Sequence, residues 1–392
     1  MLALRPPSRL GVGPPAPTRG SGGRIEIPEK GRNGAVMSTS RIRIREIAKL
    51  ANVSIGTVDR AFHARRGISP ETRQKVLQIA KDLGYAPNLA ARALSVGGSV
   101  VRIGVCIPRE IHFFYDQLRA GILAESARFA ALGVEVLYHP VGRLGEGEET
   151  AIEQLLEHDI QALVITPGDP QRLAPLIERA EKKNIRVICV ASDAPGAARS
   201  SVVCVDPRVS GGLAAELMSR FASARARVAV ITGMKVTEDH RTKVLFFSQH
   251  FSKFCAGGRV VRVIEGHEDE DETFQKCFEL LGETESLSGL YVTTANCLPV
   301  CRAIGARGLS GKIVLVATDL FEEMVPYFKK GTIAASIYQQ PYVQGQTAVR
   351  LLVDHILRGR AIPPTYYLSP GIVMRSNLHL FREVRHLDGQ ER

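Results

Sequence analysis

At 392 residues, 45% of them apolar and 23% charged, the chain has material for more than one globular domain. The charge is unevenly divided: residues 1–99 hold 17 Lys and Arg against 6 Asp and Glu, the whole of the net +11, while residues 100–392 hold 34 of each. Such a distribution excludes a uniformly neutral binding protein and marks the N-terminal part as a module for a polyanion. No run is long and apolar enough to span a membrane, and no segment has the apolar centre of a secretory signal, so a cytoplasmic location is expected.

Residues 1–36 are rich in Pro, Gly and Arg, with no apolar period, and cannot bury enough surface to fold. They read either as a disordered arm or as an over-extended start, with Met37 opening the structured chain. From Arg43, apolar residues at Ile44, Ile47, Ala48 and Ala51, then at Val53, Val58, Ala61 and Phe62, predict two short helices around a tight turn. Asn52 suits the left-handed residue that ends the first helix, and Ser54 suits the N-cap of the second, its hydroxyl accepting the amide of Thr57. A basic loop, His63 to Gly67, leads to Ser69-Pro70-Glu71-Thr72, an N-cap followed by Pro and an acid in the first turn. The third helix should run from Pro70 to Leu83, with Val76, Leu77, Ile79, Ala80 and Leu83 on one face and Gly84 closing it. Then comes Asn88-Leu-Ala-Ala-Arg-Ala-Leu94-Ser95, too short to be helical alone in water.

The unbroken run from Ile44 to Ser95, with its helix-turn-helix, its Ser-Pro-Glu-Thr-Arg helix start, its Gly-Tyr-Ala-Pro-Asn link and the short segment after it, resembles the lactose-repressor family of bacterial transcription regulators. The resemblance implies that Ser54 and Thr57 meet phosphates while Ile55, Gly56 and Arg60 face base edges of double-stranded operator DNA. It also implies a hinge helix from Asn88 that forms on DNA, with Leu94 wedged into the minor groove from each of two subunits. Asp59 is the oddity, an acid on a helix that approaches DNA.

From Val101 the sequence alternates strand and helix signals. The runs RIGVCIP, VEVLYHP, ALVITP, RVICVAS and SVVCVD are separated by helical stretches such as Gln117 to Leu132, Glu149 to His158 and Gln171 to Asn184. RVAVITG, RVVRVIEG, GLYVTT, KIVLVATD and AASIYQQP repeat the plan. This rhythm predicts a small all-α head and an α/β body of two doubly wound parallel-sheet lobes. The body resembles periplasmic sugar-binding proteins of type I and their repressor relatives over nearly all of Val101 to Phe381. The expected domains are a head at 41–87, a hinge and linker at 88–99, a body at 100–381 and a flexible tail at 382–392. Within the body, the first lobe should take about 101–205 and 339–367, and the second about 206–338 and 368–381.

Ligands of such sheets bind outside the carboxyl ends of the strands. Phe113, Phe114 and Tyr115 follow the first strand and could stack on a sugar ring. Asp193 stands where the family places a hydroxyl-binding acid, although the family's Asp-Arg pair is replaced here by Ala191-Ser192-Asp193. Arg241 matches the family's ligand-binding arginine. Asn296, Asp319 and Gln339 fall at later strand ends. Together, carboxylates, amides and a guanidinium around aromatic rings make a site for a monosaccharide, polyol or sugar phosphate.

Other chemistry is sparse. The seven Cys residues form no Cys-x-x-Cys and read as reduced, mostly buried thiols. The acidic run Glu268 to Glu272 reads as a solvated loop, and Ser210-Gly211-Gly212 as helix packing. No metal, cofactor, nucleotide or catalytic motif is found, and an enzyme is not expected. The expectation is a homodimeric regulator, a repressor of a carbohydrate-utilisation operon controlled by a small effector.

Overall fold

In a computed structural model the structure describes residues 44–62, 67–83, 100–283 and 287–381. The expected hinge, with Asn88 and Leu94, the basic loop at His63, Gly84, the arm at 1–36 and the tail at 382–392 lie outside the described residues. The chain divides into two compact units, a small helical one and a large α/β one, and each is described by itself.

The small unit has α1 (Ile44–Ala51), α2 (Ile55–Phe62) and α3 (Pro70–Asp82). Asn52 takes the left-handed conformation at φ 56° and ends α1. The Ser54 hydroxyl accepts the Thr57 amide at 3.0 Å, and Ser69 does the same for Thr72 at 3.1 Å, with Pro70 at the first helical position. Ile47, Ala48 and Ala51 are buried from α1, Val58 and Ala61 from α2, and Val76 and Ala80 from α3. Leu77, expected on the apolar face of α3, is exposed instead.

The large unit holds two six-stranded sheets. The first contains β1 (Val101–Cys106), β2 (Val134–Tyr138), β3 (Ala162–Ile165), β4 (Arg186–Val190), β5 (Ser201–Val205) and, from far along the chain, β11 (Thr365–Leu368), in the order β11-β5-β4-β3-β1-β2, all parallel. The second contains β6 (Arg227–Thr232), β7 (Arg259–Glu265), β8 (Leu287–Val292), β9 (Val314–Thr318), β10 (Ala335–Tyr338) and β12 (Gly371–Val373), in the order β12-β10-β9-β8-β6-β7, with β12 alone antiparallel. The chain therefore crosses between lobes three times: after β5, after β10 and between β11 and β12. Sequence reading missed β11 and β12, which are four and three residues long, are split by Ser369-Pro370 and offer no sustained alternation.

In the first lobe, strand residues alternate between two cores. Leu163, Ile165, Val187 and Cys189 face α5 (Glu148–Glu157) and α6 (Pro170–Lys182), while Ala162, Val164, Ile188 and Val190 face α4 (His112–Arg128) and α12 (Pro341–Arg358). Both faces are covered, so the strands read as continuous apolar runs. Gly121 lets α4 approach α12: a Cβ there would stand 2.0 Å from the Tyr342 carbonyl oxygen. The second lobe repeats this with α7 (Pro207–Phe221) and α8 (Glu238–Phe254) on one face and α9 (Glu270–Glu283), α10 (Leu298–Ala306) and the short α11 (Val325–Lys329) on the other. Gly211 does there what Gly121 does in the first, since its Cβ would meet the Lys243 carbonyl oxygen at 2.6 Å. All seven cysteines are buried free thiols.

Candidate functional site

On the small unit, Ser54, Ile55, Gly56 and Arg60 are exposed along α2, and Thr57 and Asp59 are half-buried. Ile55 leaves 45% of its surface in solvent, an apolar side chain at the helix start that the helical core does not use. A capped helix with a hydroxyl pair, an isoleucine and an arginine outward has the donors and the apolar surface that phosphates and base edges require.

In the large unit the carboxyl ends of the two sheets face each other across a cleft. Its wall is built from strand-to-helix turns, and the backbone there is unusual: Ile111 (φ 49°), Ala191 (64°), Glu268 (60°) and Asp319 (66°) are all left-handed and all line the same cavity. Non-glycine residues avoid this region, so such a concentration means that packing and hydrogen bonds hold the turns against their preference, as at many binding sites.

The centre of the cleft is charged and buried. Lys243, from α8, is fully buried and donates to Asp239 Oδ2 (2.7 Å), to the Gln339 side-chain oxygen (2.7 Å) and to the Thr293 carbonyl (3.2 Å). Gln339 in turn donates through its amide side chain to Asp319 Oδ2 (2.7 Å) and through its backbone to Oδ1 (3.0 Å). Burial pushes the Asp319 carboxyl up to about 6, with Lys243 and Gln339 pulling the other way. His240 accepts the Met234 amide on Nδ1, and burial with the nearby Lys243 lowers it to about 3, so its ring is neutral at pH 7. Its Nε2 stands 3.5 Å from Glu268 Oε1. Burial pushes Glu268 up to about 7, with the Thr294 hydroxyl and Lys243 opposing, and neither of its oxygens has a hydrogen bond of ordinary geometry. In the first lobe Glu148 is also raised to about 7 by burial, although it accepts the amides of Gly145 and Gly168.

The lobes are latched in a closed arrangement. The Thr237 hydroxyl donates to the Gly168 carbonyl at 2.7 Å, and the Asp239 amide to Ser192 Oγ at 3.4 Å. Arg143 bridges Glu110 of its own lobe (2.6 Å) and Asp269 of the other (3.1 Å). Phe113 stacks on Phe321 with centroids 4.2 Å apart and planes within 7°. The cavity left inside is about 40 Å³.

The structure sorts the residues expected at this site. Phe114, Tyr115, Asp319 and Gln339 line the cavity. The aromatic trio is not on a loop: it forms the first turn of α4, which begins at His112, and Phe113 is engaged by Phe321 at the cleft mouth. Asn296 is buried beside the mouth, where its amide holds the Asp269 carbonyl and the Thr273 hydroxyl. Asp193 does not reach the cavity, because Arg199 clasps both its oxygens, at 2.5 and 2.7 Å; Ala191 and Ser192 line the wall in its stead. Arg241 does not reach it either: its side chain is 58% exposed and paired with Glu238. Two residues along a helix turn the side chain by roughly 200°, so Asp239 and Lys243 face the cleft and Arg241 faces away. The i, i+4 spacing of Asp239 and Lys243 was the available signal for the buried cation. The run Glu268 to Glu272 is not a solvated loop: α9 begins at Glu270, Asp269 caps it through the Glu272 amide, and Glu268 turns inward.

Three short helices with an outward-facing second helix, joined to two sheets hinged over a polar cavity, define a helix-turn-helix DNA-binding protein with a ligand-binding body. Residues 43–88 match the family described as "Bacterial regulatory proteins, lacI family", and residues 103–361 match "Periplasmic binding protein domain". The chain belongs to the lacI family of bacterial regulators, as a sequence-specific DNA-binding transcriptional regulator with a periplasmic-binding-protein body. It is 24% identical over 323 residues to catabolite control protein A of Priestia megaterium, covering 80% of this chain and 92% of that protein. It is 31% identical over 160 residues to catabolite control protein B of Bacillus subtilis, covering 38% of this chain and 50% of that one. Among solved structures, an ABC transporter solute binding protein from Burkholderia graminis in complex with D-arabinose matches with TM-score 0.67 at 22% identity, over 71% of this chain and 96% of that chain. GanP, a glucose-galactose binding protein from Geobacillus stearothermophilus, matches with TM-score 0.66 at 22% identity, over 71% and 99%. These likenesses establish the fold. No helix among the described residues is long and apolar enough to cross a membrane.

Proposed function

We propose that the protein is a cytoplasmic homodimeric repressor of a carbohydrate-utilisation operon, whose affinity for operator DNA is set by a small sugar-like molecule held between the lobes, and that it is not an enzyme. The observation that carries this reading is the sealed polar cavity. Buried charged groups are costly unless they serve a partner, and here the network of Lys243, Asp239, Gln339 and Asp319 lies where two hinged bodies meet. The sugar ligands named for the solved structures of this fold, and the catabolite control titles of the relatives, support a carbohydrate class of effector. In this reading Ser54, Ile55, Gly56, Thr57 and Arg60 contact the operator with Asn88 and Leu94 of the hinge, while Phe114, Tyr115, Lys243, Asp319 and Gln339 hold the effector. A ligand shifts the open and closed populations only by its differential affinity for them. Calorimetric titration of the full chain with monosaccharides, polyols and sugar phosphates, with gel shifts on DNA recovered from its genomic sites, tests this. Binding of a panel member that changes operator affinity is expected; a chain that binds its operator and ignores every carbohydrate would overturn the effector assignment.

A further inference from the structure

We propose that the effector carries a protonated amine, as an amino sugar or amino polyol does, and that its ammonium group sits against the Glu268 and Asp239 carboxylates. This rests on the reading that a small molecule binds between the lobes, and it narrows that molecule's chemistry.

Glu268 and Asp239 are each 7% exposed, and both line the cavity. Three of their carboxylate oxygens, both of Glu268 and Oδ1 of Asp239, are buried without a hydrogen bond of ordinary geometry, although the Thr294 hydroxyl acts on Glu268. The cationic groups nearby cannot serve them. Lys243 has three N–H donors and spends them on Asp239 Oδ2, Gln339 and the Thr293 carbonyl. His240 accepts on Nδ1 and is neutral, because burial and Lys243 depress it; its proton is therefore on Nε2, 3.5 Å from Glu268 Oε1, a long contact that brings no charge. The cavity wall thus carries the carboxyls of Asp239, Glu268 and Asp319 against one ammonium.

The approach has the same sign. A chamber of about 310 Å³ at the cleft mouth shares Glu268 with the inner cavity and brings Glu110, Asp269, Glu270 and Asp271 alongside it. Its guanidinium, Arg143, is engaged by Glu110 and Asp269. Five carboxylates, of which Glu270 is also paired with Arg302 at 3.0 Å, outnumber the guanidiniums of Arg143 and Arg302 and form an acidic funnel that raises the local concentration of a cation. A neutral hydroxyl could donate to Glu268 but would leave its charge uncompensated in a water-poor pocket; an ammonium supplies donors and charge together, three N–H groups for three acceptors.

The test uses full-length protein and matched pairs: D-glucosamine with D-glucose, D-galactosamine with D-galactose, and N-acetyl-D-glucosamine as an uncharged nitrogen control. By calorimetry near neutral pH, the amino member of at least one pair should bind about tenfold tighter or more than its neutral partner, as a charge-assisted contact requires, and the acetylated control should show no such gain. Glu268→Gln should bring the ratio of amino to neutral affinity close to one, whatever it does to the neutral partner's own affinity. Equal or tighter binding of the neutral sugars by wild type would overturn the amine and leave the cleft reading standing. A preference that survives Glu268→Gln, in protein whose melting matches wild type, would remove Glu268 from the proposal. Failure of both series to bind would overturn the amine and the carbohydrate reading together.

Discussion

The DNA-facing helix and the interlobe cleft solve recognition in opposite ways. On α2 the candidate contacts come from one stretch, Ser54 to Arg60, and most stand in solvent with little tying one to another beyond the Ser54 cap and its hydroxyl contact with Thr57 at 2.9 Å. In the cleft the groups come from turns after different strands, are buried, and are chained by hydrogen bonds from Asp239 through Lys243 and Gln339 to Asp319. Water screens the first set, so each residue there should act almost independently, by a modest amount. In the second, low dielectric couples the members, and removal of one strands the others.

The largest test of this contrast removes one side of it. A chain begun at Val100 should lose specific operator binding, a loss on the order of 4–10 kcal/mol, while its calorimetric response to effector persists; retained operator affinity in gel shifts would mean that the small unit is not the reader. Next in size is the hub of the cleft. Lys243→Met leaves Asp239 and Gln339 without their buried donor and should destabilise the body by about 3–5 kcal/mol in urea unfolding. Arg241→Ala, on the same helix but exposed, should cost less than about 0.5 kcal/mol. Comparable losses in the two variants would erase the distinction between exposed and coupled sites.

A third test reads the electrostatics. The folded state raises Glu268 from 4.5 to about 7, so its contribution is fully present below 4.5 and is lost as pH rises through 7. His240, lowered to about 3, contributes in the other direction: its share is present above 6.5 and is lost as pH falls toward 3. Wild type therefore sums opposed slopes, with Glu148 and Asp319 on the side of Glu268, and Glu268→Gln deletes one contribution. The variant's stability relative to wild type should improve between pH 5 and pH 8 by roughly 3 kcal/mol, measured by denaturant titration at both. A flat difference would mean that Glu268 is not held in a desolvated site. Smaller than the Glu268 effect is that of Ser54→Ala, which should lower the melting temperature of an isolated 37–87 fragment by the equivalent of about 1 kcal/mol and weaken operator and random duplex alike, since a cap and a phosphate contact carry no base information. A loss confined to the operator would make Ser54 a base reader.

The same contrast explains what could be read from the sequence. Asn52, Ser54, Ser69 and Pro70 lie within a few residues of the helices they cap, so local rules found them, and each takes its expected place. The strand and helix rhythm of the body was equally legible, because strands covered on both faces are continuously apolar. The cleft was legible only in part. Asp319 and Gln339 were reachable as strand ends. Asp193 was misplaced because its fate is decided by Arg199, six residues on, whose guanidinium folds back onto it. Arg241 was preferred to Lys243 by resemblance, although helical phase turns it outward. Glu268 was concealed in an acidic run whose composition suggests solvent; only the left-handed turn at His267-Glu268 sends that carboxyl inward.

The size of the inner cavity sets a limit on speed. A space of about 40 Å³ holds roughly three water molecules at most, far too little for a sugar ring, so capture must wait for the Phe113–Phe321 stack and the Arg143–Asp269 bridge to part. The observed rate of binding should therefore stop rising with ligand concentration and level off at the frequency with which the lobes open. Mutations that loosen the stack, such as Phe321→Ala, would then quicken association and dissociation together, and the regulator's response time would be written in the latch and not in the affinity.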